Sequence, residues 1–191
     1  RPRPLALSLA TEWFETCTSD RLRKVVEAIQ SPENPNSKIL TESLCSQIIY
    51  LGNNEKVKLL IGKLTDVSGP FDNAKVVNTE LGSRLFRSFV EVNPNAVADN
   101  LYRLFGSMSI EQLINIQEGR RNLVWTLEKL CFDRSTFEKG AKLMMSLAIA
   151  ENETYGNNAT SEFLNLFKIH LAGTQANLSE RLEIIKWGLY K

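Results

Sequence analysis

Hydrophobic residues recur every three or four positions along most of this chain, which is the spacing of one face of an α-helix. No stretch alternates hydrophobic and polar residues for long enough to predict a β-strand. The pattern therefore predicts an all-α protein of about five helical hairpins with one short extra helix. The predicted helices span residues 5–17, 20–30, 37–51, 55–64, 78–92, 94–105, 109–117, 159–171 and 178–190, and two more form a hairpin within 119–151.

The hairpin within residues 119–151 has the best-defined pattern. Its first helix carries one apolar stripe, formed by Leu123, Val124, Leu127, Leu130 and Cys131. Its second helix carries two stripes, formed by Phe137, Ala141, Met144, Met145 and Ala148 and by Leu143, Leu147 and Ala150. A helix that is apolar on two sides needs neighbours on both sides. We therefore expect this hairpin to be a middle layer in a stack of helices.

Equivalent positions recur at a nearly constant interval. The last four predicted pairs begin 41 residues apart, near Ser37, Asn78, Gly119 and Thr160. Hydrophobic residues keep a similar spacing at Ile48, Phe89, Leu130 and Leu171 in the first helices and at Leu60, Leu101, Leu143 and Leu182 in the second helices. A helical pair every ~40–47 residues is the period of HEAT and armadillo repeats. The spacing predicts a right-handed α-α superhelix, a HEAT/armadillo-like solenoid that forms one domain over residues 1–191. The alternative is an irregular helical bundle whose even spacing is coincidental.

The charge and the cysteines limit the classes of partner and compartment. The 191 residues include 23 Lys and Arg against 22 Asp and Glu, a net charge of +1, so no overall field attracts nucleic acid or anionic lipid. The sequence shows no membrane span and no signal peptide. Cys17, Cys45 and Cys131 lie far apart in predicted amphipathic helices, and we interpret them as reduced core thiols of a cytoplasmic protein. Because the chain begins with Arg1 rather than Met, we interpret it as a fragment of a larger protein.

The sequence contains no motif that predicts catalysis or a bound cofactor. His170 is the single histidine, and neither HExxH nor CxxC occurs, so a metal site or a histidine-based triad lacks partners. Neither GxxxxGKS nor GxxxxGKT occurs either, which excludes nucleotide binding through that motif. Trp13, Trp125 and Trp187 lie in predicted helices, where we interpret them as core or interface residues. We expect no catalytic, cofactor-binding or metal-binding residue, and therefore no enzyme.

Arginines form the main polar feature. Arg121 lies 41 residues after Glu80, so stacked helices would bring their side chains together, and Arg84, one turn after Glu80, could join them. The simplest interpretation is a ladder of ion pairs between repeats. The alternative is a basic cluster that binds a phosphate or a carboxylate. This candidate interaction surface consists of Arg84, Arg87, Arg120 and Arg121.

Three segments resemble parts of the long helical regions of large bacterial multidomain proteins, including STAND-type ATPases of signalling and antiphage defence. These segments are NTELGSRLFR at residues 78–87, GRRNLVWTLEKLCF at 119–132 and ENETYGNNAT at 151–160. The resemblance spans residues 78–182. Because those ATPases carry their nucleotide site in a separate domain, whose motifs are absent here, no catalytic residue is carried over. The resemblance implies a sensor or scaffold arm.

These observations favour a non-catalytic scaffold or sensor module that mediates protein–protein or interdomain interaction. Its partner would be a protein or another domain of the parent chain, and exposed solenoid ends would also allow a homodimer. The alternative is nucleic-acid binding, which requires the arginines to converge on one strip despite the neutral total charge. A third hypothesis, a small helical enzyme, requires a deep pocket that holds His170 or a pair of carboxylates.

Overall fold

The computed structural model describes residues 3–31 and 33–190; Pro2, Pro32, Lys191 and Arg1, on which the interpretation as a fragment rests, lie outside it. Within the described residues the chain forms α-helices and no β-strand, which confirms the all-α prediction. No helix of this described part is long and apolar enough to cross a membrane. The helices are α1 (Arg3–Thr16), α2 (Ser19–Gln30), α3 (Ser37–Tyr50), α4 (Glu55–Thr65), α5 (Ala74–Val77), α6 (Glu80–Phe89), α7 (Pro94–Phe105), α8 (Ile110–Ile114), α9 (Arg120–Phe132), α10 (Phe137–Ile149), α11 (Ala159–Asn165) and α12 (Leu178–Leu189).

Side-chain caps explain where several helices begin. The side chain of Asn93 accepts a hydrogen bond from a backbone N–H in the first turn of α7, directly before the proline that opens the helix. Ser109 and Gln112 form a capping box at the start of α8. At the start of α2 the Thr18 hydroxyl accepts the first-turn hydrogen bond, and Ser19 is the first helical residue. Local sequence therefore determines these boundaries to within one residue.

Helices that are not consecutive in the chain pack in two series. In one series α3 packs against α6, α6 against α9 and α9 against α11. In the other series α2 packs against α4, α4 against α7, α7 against α10 and α10 against α12. The predicted stripe of α9 is buried, as are most of the residues predicted to form the two stripes of α10. The central hairpin therefore has neighbours on both sides, as its pattern indicated.

The loop before α5 and α6 contributes to the core. Phe71 is fully buried, and its ring centroid lies 5.3 Å from that of Phe86 and 5.4 Å from that of Phe89, so this loop residue packs back onto the helices. The helix predicted over 78–92 is present as α6, with both ends shorter, and the short helix α5 that precedes it across a tight corner was not predicted. Gly82 is required there, since a Cβ atom at this position would lie 2.0 Å from a carbonyl oxygen of α5.

The last helical pair departs from the predicted repeat. Helix α11 ends well before Leu171, which is 98% exposed and has a positive φ of 52°. Helix α12 buries Ile184, whereas Leu182, the predicted core position, is 49% exposed. The reason is the close approach of α12 to α10: a Cβ atom at Gly188, one turn after Ile184, would lie 1.9 Å from Cε of Met145. The interval of about 41 residues therefore holds for burial in the earlier pairs and fails in the last one.

The three cysteines are free and buried, as predicted. Burial raises the pKa of the Cys131 thiol far above its ordinary value, and the negative charges of Glu128 and Glu162 raise it further. Burial also raises the pKa values of Cys17 and Cys45. Thiols that resist deprotonation are poor nucleophiles and poor metal ligands, so these residues serve the core.

Candidate interaction surface

Arg120, one of the four arginines predicted at the surface, is buried. It is 1% exposed, and its guanidinium donates hydrogen bonds to the carbonyl oxygens of Leu113 at 3.0 Å, Leu147 at 2.8 Å and Ala150 at 2.7 Å. The carboxylate of Glu151 lies 3.5 Å from the same guanidinium. The prediction is therefore wrong for this residue, because Arg120 pairs the last carbonyl groups of α8 and α10 and has no surface to offer a partner.

The other three arginines lie along α6 and α9 together with two aromatic rings. The guanidinium of Arg87 lies 4.1 Å from the centroid of the Trp125 ring. That of Arg121 lies 5.9 Å from the same ring and 4.6 Å from the ring of Tyr155, in the loop before α11. Arg84 lies one turn before Arg87 on α6. We call Arg84, Arg87, Trp125, Arg121 and Tyr155 the arginine–aromatic strip.

The ion pair of the strip differs from the predicted one. Nη1 of Arg84 lies 2.7 Å from Oε1 of Glu42 on α3, and both side chains are partly exposed. The ion pairs formed among residues 3–31 and 33–190 do not include the expected pair of Glu80 with Arg121. Arg121 instead uses its guanidinium face on the two rings, where a cation–π contact contributes about 0.5–1 kcal/mol at an exposed site.

A ladder of ion pairs between neighbouring helices does occur, with other members than those predicted. Arg84 and Glu42 lie 42 residues apart in the chain. Lys139 of α10 pairs with Asp99 of α7, 40 residues earlier. Lys129 of α9 pairs with Glu91, which follows α6. Such partly exposed pairs fix the register between helices more than they stabilise it.

In a double-mutant cycle we expect a coupling energy of about 0–1 kcal/mol between Arg84 and Glu42. Solvent screens this partly exposed pair, and both long side chains lose conformational freedom when they meet. Urea unfolding of the wild type, Arg84→Ala, Glu42→Ala and the double variant measures the coupling. Glu138→Ala combined with Arg84→Ala is the control, because Glu138 lies on α10 and pairs with Lys142, so we expect no coupling. A coupling above about 3 kcal/mol for Arg84 and Glu42 would contradict the partly exposed geometry.

The cations beside Trp125 repel one another. Burial lowers the pKa of Arg87, and the charge of Arg84 lowers it further. Burial also lowers the pKa of Lys129, and the charge of Arg87 lowers it further. An anion placed among these three side chains would relieve the repulsion.

The sequence alone did not identify Trp125 and Tyr155 as members of the arginine–aromatic strip. The sequence indicates a core or interface role for Trp125, and Tyr155 lies outside the predicted helices. The available signal was that Trp125 lies off the apolar stripe of α9 and about one repeat after Arg87. A large aromatic residue off the buried face of a helix needs another partner, and here that partner is a guanidinium.

The described residues offer little for catalysis. His170 is exposed beyond the end of α11, outside any helix. No group of three or more His, Cys, Asp or Glu in the described part of the chain could hold a metal ion. Glu128 and Glu162 line an open groove of about 400 Å³, where partial burial and the charge of Glu162 raise the pKa of Glu128. These two carboxylates are acid–base candidates, but His170 does not line their groove.

The interpretation of the strip rests on its own geometry. Its arginines and rings come from α6, α9 and the loop before α11, and Glu42 of α3 extends the polar surface by one helix. In comparisons with protein families, curated proteins and solved structures, the chain matches none of them.

Proposed function

We propose that this chain is a non-catalytic helical-repeat scaffold that binds a protein or another domain of its parent chain. The observation that carries the proposal is the arginine–aromatic strip. Tryptophan, tyrosine and arginine are the residue types that contribute most to protein–protein binding energy. Trp125 is partly exposed between two guanidinium groups, which hold its ring in place before a partner arrives. A preorganised ring loses less conformational entropy on binding.

We further propose that the helices stack as a HEAT/armadillo-like, right-handed α-α superhelix. The two series of helix contacts support this arrangement. Polar links between equivalent positions support it as well: the Gly119 N–H donates to Oδ1 of Asn78 at 3.3 Å, 41 residues away, and Asn122 donates to the hydroxyl of Ser83 at 3.0 Å, 39 residues away. An irregular bundle would not be expected to link equivalent positions at separations near 40 residues.

Nucleic-acid binding is the alternative, and the convergence of Arg84, Arg87 and Arg121 favours it in part. Two other features of the strip favour a protein instead. The Trp125 ring lies under Arg87, so that face is not open for a base to stack on. Carboxylates also pair with cations of this surface, at Arg84 and at Lys129, which leaves no continuous basic track for a phosphate backbone.

Helices α1 and α12 carry exposed apolar residues, and we propose them as contacts with a neighbouring domain or a second copy of the chain. In α1 these residues include Leu5 and Leu9, and in α12 they include Leu178 and Leu189. Exposed apolar patches of this kind are typical of interaction sites. Together with the resemblance to helical regions of STAND-type ATPases, they support a role as a cytoplasmic sensor or scaffold arm.

Replacing Trp125 with alanine should abolish capture of the partner. We expect the purified chain to retain a protein from lysate of its source organism after nuclease treatment, with quantitative mass spectrometry as the measurement. Loss of a hot-spot tryptophan costs about 2 kcal/mol or more, so Trp125→Ala should reduce the captured amount roughly 30-fold at limiting concentration.

Phe132→Ala is the matched control, because Phe132 is an exposed aromatic residue on the same helix and lies outside the strip. Circular dichroism of both variants shows whether the helices remain folded. Equal capture by Trp125→Ala and Phe132→Ala would reject the strip as the binding surface. Capture that disappears with nuclease would favour the nucleic-acid alternative.

A further inference from the structure

A groove of about 400 Å³ crosses α3, α6 and α9 beside the arginine–aromatic strip. Three cations and two carboxylates line it: Arg84, Arg87, Lys129, Glu42 and Glu91. Ile49, an exposed apolar residue of α3, also lines the groove. The groove therefore combines an excess of positive charge with an apolar contact.

The charges in the groove are unequally satisfied. Oε1 of Glu42 lies 2.7 Å from Nη1 of Arg84, and the carboxylate of Glu91 pairs with the ammonium of Lys129. Arg87 forms no ion pair within 4.0 Å among the described residues, although the charge of Glu128 on α9 raises its pKa and so opposes the lowering by burial. The guanidinium of Arg87 lies 4.1 Å from the centroid of the Trp125 ring. Because a guanidinium carries its N–H groups in its plane, the contact of its face with a ring leaves the N–H edge able to donate two parallel hydrogen bonds.

A larger groove elsewhere in the molecule shows the contrast. It has a volume of about 700 Å³ and lies between α10 and α12. Each of its cations already pairs with a carboxylate of the chain, in the pairs Arg134–Glu180, Lys142–Glu138 and Lys186–Glu183. The cations that line this groove are therefore already neutralised by carboxylates of the chain. The smaller groove, with Arg87, is therefore the better site for an anionic partner.

We infer that the groove across α3, α6 and α9 binds an acidic protein segment, whose carboxylate pairs with the N–H edge of Arg87 and whose adjacent apolar side chain packs on Ile49. This inference rests on the proposed scaffold function and names the chemistry of its partner. A bidentate carboxylate contact is the geometry for which arginine is best suited.

The surroundings of Arg87 favour a carboxylate over a phosphate. Glu42 and Glu91 already pair with Arg84 and Lys129, so the one cation of the groove without an ion pair in the described part of the chain is Arg87, and a single carboxylate is enough to neutralise it. Cations of the groove already pair with carboxylates of the chain, as Arg84 does with Glu42 at 2.7 Å. An incoming carboxylate at Arg87 would complete this set and would reduce the repulsion among the three cations.

The test is fluorescence anisotropy with a labelled acidic peptide, Gly-Ser-Glu-Leu-Glu-Leu-Glu-Gly-Ser. We expect the wild-type chain to bind this peptide and to bind the analogue with Gln in place of Glu more weakly. Arg87→Gln should weaken binding of the acidic peptide about tenfold or more, since it removes a charge-assisted hydrogen-bonded pair. Arg87→Lys keeps the charge and loses the bidentate edge, so it should also weaken binding.

Arg23→Gln is the matched control, because it removes the same charge from an exposed arginine of α2 that does not line the groove. Equal binding of the Glu and Gln peptides, no binding of either, wild-type affinity in Arg87→Lys, or equal losses in Arg87→Gln and Arg23→Gln would each overturn the inference. Tighter, Arg87-dependent binding of a labelled single-stranded oligonucleotide of the same length would overturn it in favour of nucleic acid.

The two proposals fail in different ways. A partner captured through Trp125 whose binding is unchanged by Arg87→Gln would preserve the scaffold function and reject the acidic segment. Peptide binding that depends on Arg87, without any Trp125-dependent partner in the capture experiment, would preserve the groove and reject the proposed function.

Discussion

Replacing Arg120 with alanine will lower the free energy of unfolding by about 3–5 kcal/mol, the cost of removing one member of a buried ionic network. The substitution leaves the carbonyl oxygens of Leu113, Leu147 and Ala150 without their donor and leaves Glu151 without its cation. Buried polar groups that lose their partner bear the full desolvation penalty. Urea unfolding followed by circular dichroism measures the loss.

Arg121→Ala is the control for Arg120→Ala, since it removes the same side chain from the next residue of the same helix. Arg121 is exposed, and its guanidinium lies beside the rings of Trp125 and Tyr155, so its loss should cost at most about 1 kcal/mol. Arg120→Met retains much of the buried volume yet restores no donor, and should remain close to the alanine variant. Equal stability of the Arg120 and Arg121 variants would contradict the buried network.

Local sequence predicts the helices well wherever their signals are local. Asn93 followed by proline indicates the start of α7, and the capping box of Ser109 and Gln112 indicates that of α8. The corner between α5 and α6 was missed, because four residues are too few to show a helical period. The need for glycine at position 82 can be recognised only when the position of the approaching carbonyl group is known.

The sequence predicted part of the candidate site. The predictions that failed are those that depend on tertiary contacts. Adjacent residues on a helix point about 100° apart, so the sequence indicates that Arg120 and Arg121 face different directions. It could not show which of the two would be buried, because the partners of Arg120 are carbonyl groups at the ends of α8 and α10, brought together by packing. The stack of Arg87 on Trp125 likewise depends on how α6 lies against α9.

Leu130→Ala should cost about 2–5 kcal/mol in stability, the loss typical of a buried leucine. Leu130 is fully buried in α9, and its Cβ atom lies so close to α10 that a Cβ atom at Gly140 would be 3.0 Å away from it. Interiors packed this closely relax little around a deleted side chain, so most of the cavity should persist. Thermal and urea unfolding of the variant provide the measurement.

Leu171→Ala is the decisive comparison, because Leu171 occupies the equivalent position 41 residues later. It is 98% exposed, so its truncation should change stability by at most about 0.5 kcal/mol in either direction. If both variants lose stability equally, Leu171 is buried in solution and the repeat register extends through the last pair. If they differ as expected, equal spacing in the sequence does not imply equal burial, because α11 ends before it reaches Leu171.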